Sequence, residues 1–223
     1  MRVAVPTPFV GAQTSRRNSQ EQVRNPPDLR LIRADFGASA GAAAPRLAVI
    51  VAADMVDYTR HMASDEARTY ARCTSLRKTI IEPALARHGA RVIKHTGDGF
   101  IAEFPSATGA VRFAVSLQGA IRTWNARRAR ERPLEFRIGI NLGDVIAEAH
   151  DVFGHSVNIA SRLEALARPG GVLVSHAVVV SVRDPRLVFE DAGELSLKNV
   201  SEPVRGFHAR LPTPRRPRRP HGA

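Results

Sequence analysis

Lys94-His95-Thr96-Gly97-Asp98-Gly99-Phe100 lies between two short apolar stretches, and its reading decides the fold. A Gly-Asp-Gly bend flanked by apolar runs is a tight-turn signature, so residues 90–104 read as a β-hairpin turning at Gly97-Asp98-Gly99. Upstream, Leu47-Ala48-Val49-Ile50-Val51-Ala52-Ala53 reads as a buried strand over residues 46–54, closed by Asp54. Strand pairing can bring Asp54 and Asp98 together at one sheet edge. Two bare carboxylates side by side repel, and a divalent cation relieves that repulsion. Magnesium takes one or two carboxylates and completes its shell with water and substrate phosphate. The pair therefore points to phosphoryl or nucleotidyl chemistry.

Outward from this pair, residues 65–88 read as a helix with an inward stripe of Tyr70, Cys73, Leu76, Ile80 and Ala84. Pro83 late in that pattern predicts a kink or an early break. Ser106 reads as the N-cap of a helix running to about Arg128, with Ala110, Ala114, Leu117, Ile121 and Trp124 facing inward. Residues 135–148 read as a second pair of strands, passing through Gly143. Residues 154–167 read as another helix, stopped by Pro169-Gly170-Gly171. Short strands are expected near 172–174, 186–190 and 203–210. Strand, helix, hairpin, helix, strand is the βαββαβ order of an α+β, ferredoxin-like core, here with extra C-terminal strands. Such a sheet carries its helices on one face and leaves the other face or an edge available for a site or partner.

The chain has 223 residues, 43% of them apolar, enough for one packed domain with tails. Its single cysteine, Cys73, excludes an internal disulfide framework and fits a reducing compartment. No apolar run reaches the roughly 18 residues that span a bilayer, so a cytoplasmic protein without membrane contact is expected. The net charge of +12 is concentrated at the ends. Residues 1–46 hold seven arginines against three acids, and residues 211–223 hold four arginines and no acid. Residues 1–45 read as a flexible basic leader and 211–223 as a disordered Arg/Pro-rich tail, solvated rather than bound to nucleic acid. Only Lys78, Lys94 and Lys198 are lysines among the 33 basic residues. Lys94, beside the Gly-Asp-Gly turn, draws a functional reading on that ground.

Asp151-Val152-Phe153-Gly154-His155-Ser156-Val157-Asn158-Ile159-Ala160-Ser161-Arg162 is the strongest further motif. Asn158 and Arg162 are four apart on a helix and share a face. An amide and a guanidinium side by side suit a ribose and a phosphoryl oxygen. The plainer reading is an exposed polar face on which Arg162 pairs with nearby Glu164 or another acid.

With these motifs in order, residues 46–210 resemble the catalytic domain of the class III adenylate/guanylate cyclases, of the soluble bacterial type. The resemblance rests on residues 53–59, 94–100, 137–145 and 154–162, and on Leu197-Lys198-Asn199-Val200 with Pro203-Val204. It implies that Asp54 and Asp98 bind two divalent ions, Mg2+ or Mn2+, with main-chain groups from Met55 onward. It implies that Lys94 and Asp151 read the adenine edge, that Asn158 orients the ribose, and that Arg162 stabilises charge at phosphorus. Lys198 falls where the family has a triphosphate-contacting lysine. The implied reaction turns ATP into cyclic AMP and pyrophosphate at two sites shared across a homodimer. Asp57 stands where the family usually has glycine, in a turn that contacts the triphosphate. That departure sustains an alternative, a non-catalytic cyclase-fold module that binds nucleotide or a partner. A basic nucleic-acid-binding protein ranks last, because the core offers no aromatic stacking surface or recognition helix.

Overall fold

The computed structural model describes residues 44–147 and 152–212. Almost all of the leader and tail expected from the sequence lie outside these residues, as does Asp151. The first strand, β1 (Pro45–Met55), is followed by α1 (Tyr58–Ser64), α2 (Glu66–Leu76), a π-turn at Arg77–Ile81 and α3 (Glu82–Arg87). The hairpin follows as β2 (Arg91–His95) and β3 (Phe100–Phe104), and then α4 (Ala107–Ala126). The chain continues through β4 (Phe136–Ala147), β5 (Val152–Phe153), α5 (His155–Leu166), β6 (Val172–Ser175), α6 (His176–Ser181), β7 (Val188–Leu195) and β8 (Val204–Arg210).

The sheet order is β2-β3-β1-β4-β6-β8-β7, with β5 added to β4. Its first four strands are antiparallel neighbours, the ferredoxin-like core. β6 joins β4 in parallel and starts the C-terminal extension. Side chains alternate between faces along β1, and the two sets have different partners. Val49, Val51, Ala53 and Met55 pack with Phe113, Leu117 and Ile121 of α4 and with Leu76. Ala48, Ile50 and Ala52 pack with Val157 and Ala160 of α5. Helices therefore cover both faces, and the face expected to be free is partly closed by α5.

Local chemistry explains most elements. Ser106 caps α4 by accepting a hydrogen bond from the Gly109 N–H at 3.1 Å. The expected inward stripe of α4 is buried throughout, and the Arg128 guanidinium lies 3.8 Å from the centre of the Trp124 ring. Pro83 does not break its helix. It sits just after the π-turn, where the N–H of Glu82 bonds to the carbonyl of Arg77. Tyr70 is not a core residue; it is 64% exposed, while Leu76 and Ala84 of the same stripe are buried.

Residues 135–148 do not form two strands. β4 runs through Gly143 as one twelve-residue strand, because β1 pairs with it continuously from Pro45↔Ile146 to Met55↔Phe136. Gly143 serves close packing rather than a turn: a Cβ there would lie 2.4 Å from the Ser156 hydroxyl, which would have to turn aside. The short helices α1 and α6 were not expected.

Candidate active site

β1 and the β2–β3 hairpin each deliver one carboxylate to the same place. Asp54 is the penultimate residue of β1, and Asp98 stands in the turn of the hairpin. β3 pairs with β1 up to Ala53↔Phe100, which sets the turn beside the end of β1. Thr96 N–H closes the turn on the Gly99 carbonyl at 3.1 Å. Gly99 is the contact point: a Cβ on it would fall 2.1 Å from the Ala53 carbonyl oxygen and 2.7 Å from Asp54 Oδ1. Any side chain there would push the turn off the strand.

The Asp54 and Asp98 carboxyl groups lie within hydrogen-bonding reach of each other. Burial first, and then the charge of Asp98, push the Asp54 carboxyl up to about 6, while the Met55 N–H and Arg137 act in the opposite direction. Neither aspartate forms an ion pair among the described residues. Two facing carboxylates without an ion-pair partner among the described residues make an oxygen donor set that fits Mg2+ or Mn2+. No cluster of three or more His, Cys, Asp or Glu suited to a metal occurs among the described residues, so water and substrate oxygens would complete the shell.

The loop behind the pair is fixed from both sides. Val56 N–H bonds to the Glu135 carbonyl at 2.9 Å, and the Met55 sulfur meets Cys73 Sγ at 3.7 Å. Burial pushes the Cys73 thiol up, as expected of a packing cysteine rather than a reactive one. Asp57 has φ 55° and ψ 32°, a left-handed conformation that glycine adopts freely and aspartate tolerates. Its carboxylate is held by Arg132 at 2.9 Å.

Two residues to which the sequence reading gives no part in the site lie near the pair. Arg137 is the register partner of Asp54 on β4. Glu164 lies on the inner side of α5, one turn after Ala160. A Cβ on Gly139 would lie 2.1 Å from the Ala160 carbonyl oxygen and 2.2 Å from the Glu164 nitrogen, so α5 rests directly on the β4 backbone. Burial, then Asp54, push the Glu164 carboxyl up to about 7, against the pull of Arg137. Arg162 and Glu164 form no ion pair or hydrogen bond among the described residues, so the pairing of the plainer reading does not occur.

The remaining sequence candidates stand elsewhere. Asn158 and Arg162 lie one turn apart on α5, opposite the buried Val157, Ala160 and Leu163. Asn158 is exposed and Arg162 half-buried. Lys94 is exposed on the edge strand β2, at a bulge where Val92↔Ala102 is followed by Lys94↔Ile101. Lys198 is exposed in the loop between β7 and β8. Asp54, Met55 and Asp98 thus form one group. Lys94, Asn158, Arg162 and Lys198 have no side-chain hydrogen bond or ion pair among the described residues.

The adenylate and guanylate cyclase catalytic domain model matches residues 46–208. The chain belongs to the class III adenylate/guanylate cyclase family. Putative adenylate cyclase 3 of Rhizobium meliloti (strain 1021) is 42% identical over 160 residues, covering 71% of this chain and 27% of that protein. The chain spans about a quarter of the length of the curated relatives first matched. Among solved structures, an adenylate/guanylate cyclase/hydrolase from Silicibacter pomeroyi is 38% identical with a TM-score of 0.69, covering 77% of this chain and 99% of that one. The adenylyl cyclase CyaB of P. aeruginosa, 23% identical with a TM-score of 0.69, shares the fold over 78% of this chain and 97% of its own. The cyclase chain has no helix among its described residues long and apolar enough to cross a membrane.

Proposed function

We propose that this cyclase domain converts ATP to 3′,5′-cyclic AMP and pyrophosphate, at two sites shared across a homodimer. The observation that carries the reading is the facing pair of Asp54 and Asp98 beside Arg137. Two Mg2+ or Mn2+ ions held there would supply the charge that makes the ribose 3′-hydroxyl acidic and pyrophosphate a better leaving group. The 3′ oxygen gives its proton to solvent and bonds to the α-phosphorus as the α–β bridging bond breaks. Asp54 and Asp98 orient the hydroxyl and the phosphates through their oxygens, and main-chain groups from Met55 border the triphosphate. Arg162 offsets the charge that builds on phosphorus, so its loss lowers turnover more than affinity. Asn158 positions the ribose, and Lys198 contacts the triphosphate.

Adenine is the base we assign, from Lys94 with Asp151. An ammonium donates to adenine N1 and a carboxylate accepts from its amino group, whereas guanine reverses both. The homodimer follows from how the residues divide. Asn158 and Arg162 face away from the chain's own carboxylate pair, so a second copy is the natural source of the missing half. Exposed apolar side chains support such a contact: Leu47 is 64% exposed, and Ile146 and its cross-strand partner Phe153 are also exposed. The non-catalytic alternative drew on Asp57, and that carboxylate is offset by Arg132. A reducing, cytoplasmic setting belongs to the same proposal, on the strength of a single free cysteine.

The test is an incubation of purified protein with ATP or GTP and either Mg2+ or Mn2+, with cyclic product quantified. Metal-dependent cyclic AMP, exceeding cyclic GMP and lost in Asp54→Ala, is expected. Cyclic GMP in excess would overturn the base assignment, and product undiminished in Asp54→Ala would overturn the site.

A further inference from the structure

A second polar cavity, of about 310 Å³, opens between α1, the start of α2 and the turns after α4. Its lining includes His61, Arg68, Arg72, Arg130, Glu131 and Arg132. Four guanidinium groups meet there with two carboxylates, Glu131 and Asp65, and Asp65 already accepts from the Arg68 N–H at 3.0 Å as a helix cap. Arg68 and Arg72 share the single carboxylate of Glu131, at 2.9 and 2.7 Å. Arg130 is exposed and makes no hydrogen bond or ion pair among the described residues. Arg132 pairs only with Asp57, and both side chains are more than 40% exposed. Exposed pairs of this kind contribute little, so Arg132 can turn toward a better acceptor.

The buried His61 registers the resulting field. Burial first, and then Arg132 and Arg72, push its imidazole down, which favours the neutral form. A neutral imidazole can still donate or accept a hydrogen bond at the cavity wall. Forked donors converging on one space match the oxygens of a tetrahedral dianion better than they match a single carboxylate.

We propose that this cavity binds a phosphoryl oxyanion, either free inorganic phosphate or the phosphate of a small phosphomonoester, held chiefly by Arg68, Arg130 and Arg132. Neither aspartate of the carboxylate pair lines this cavity, and the proposal does not depend on the activity assigned to that pair.

The chain's one tryptophan supplies the readout. Trp124 lies under Arg128, and the guanidinium of Arg72, a cavity residue, is 5.8 Å from its ring centre. Inorganic phosphate, and in a second arm glycerol phosphate, is titrated into the full chain at pH 7.5 without divalent cation or nucleotide. Binding is followed by tryptophan fluorescence and by calorimetry. Saturable binding is expected, weakened about tenfold or more in Arg130→Glu, which reverses a charge without removing any bond. Arg162→Ala, in the nucleotide half-site proposed above, should bind as wild type. Tighter binding of the ester identifies a phosphorylated small molecule as the occupant, and tighter binding of inorganic phosphate identifies the free ion. No saturable binding, an Arg130→Glu titration identical to wild type, or binding lost only in Arg162→Ala would overturn the site.

Discussion

Asp54 is where charge, burial and pH meet in this protein. Its carboxyl is raised from 3.8 to about 6, by burial and then by Asp98, and that of Glu164 from 4.5 to about 7. A folded carboxyl that holds its proton more tightly than an unfolded one favours the fold at low pH. The contribution is complete below about 4 and disappears as pH rises through about 6 for Asp54 and about 7 for Glu164. Metal-free protein should therefore lose thermal stability between pH 5 and pH 8. The loss should shrink in Asp54→Asn, and Mn2+ at pH 8 should restore wild-type stability but not that of the variant. Melting curves at the two pH values check this, and equal pH dependence in both proteins would contradict it. At this scale the sequence was legible where chemistry is local. Asp54 and Asp98 each end an apolar run or occupy a turn, and both could be named from position alone. Arg137 and Glu164 could not, because their places depend on strand register and on the rotation of α5. The one available signal was the spacing of four between Ala160 and Glu164, which puts Glu164 on the inward face.

Between β4 and α5 the decisive contact is backbone on backbone. Gly139 allows the α5 main chain to touch β4, and Asn141 adds a hydrogen bond from its amide to the Ser156 carbonyl at 3.3 Å. Gly139→Val should displace the helix, costing about 1–3 kcal/mol in overpacking and lowering the melting temperature by roughly 2–12 °C. Turnover should fall as well, because Asn158 and Arg162 ride on the same helix. Gly119→Ala is the control. It lies within α4 where the nearest atom to a Cβ is Arg122 Nη2 at 3.9 Å, so stability should hold or rise slightly. Scanning calorimetry and kcat report both, and a Gly139→Val protein as stable and active as wild type would contradict the contact. Elements with strong local signals were legible: the Gly-Asp-Gly hairpin, the Ser106 cap and the α4 stripe. β4 was misread because Gly143 looks like a turn in sequence, whereas an unbroken ladder to β1 keeps it extended. The π-turn before Pro83 was out of reach, since proline predicts disturbance without saying which form it takes.

For the molecule as a whole, the βαββαβ order fixed the four-strand antiparallel core, and the structure extends it with the parallel β6 and the β7–β8 ribbon. Covering of the second face by α5 was not legible, because nothing in a helix's own sequence says which side of a sheet it crosses. That placement is what aims Arg162 away from the carboxylates of its own chain and makes a second copy necessary to the account. Asp98→Ala and Arg162→Ala proteins should each be nearly inactive alone. Mixed and allowed to re-associate, half of the dimers would be hybrid, with one of their two sites whole, so about a quarter of wild-type cyclic AMP formation should return. Cyclic AMP production by verified hybrid dimers, read beside each variant alone, is the direct measurement. Recovery toward that quarter is the predicted result, and hybrids as inactive as their parents would contradict a site shared between two chains.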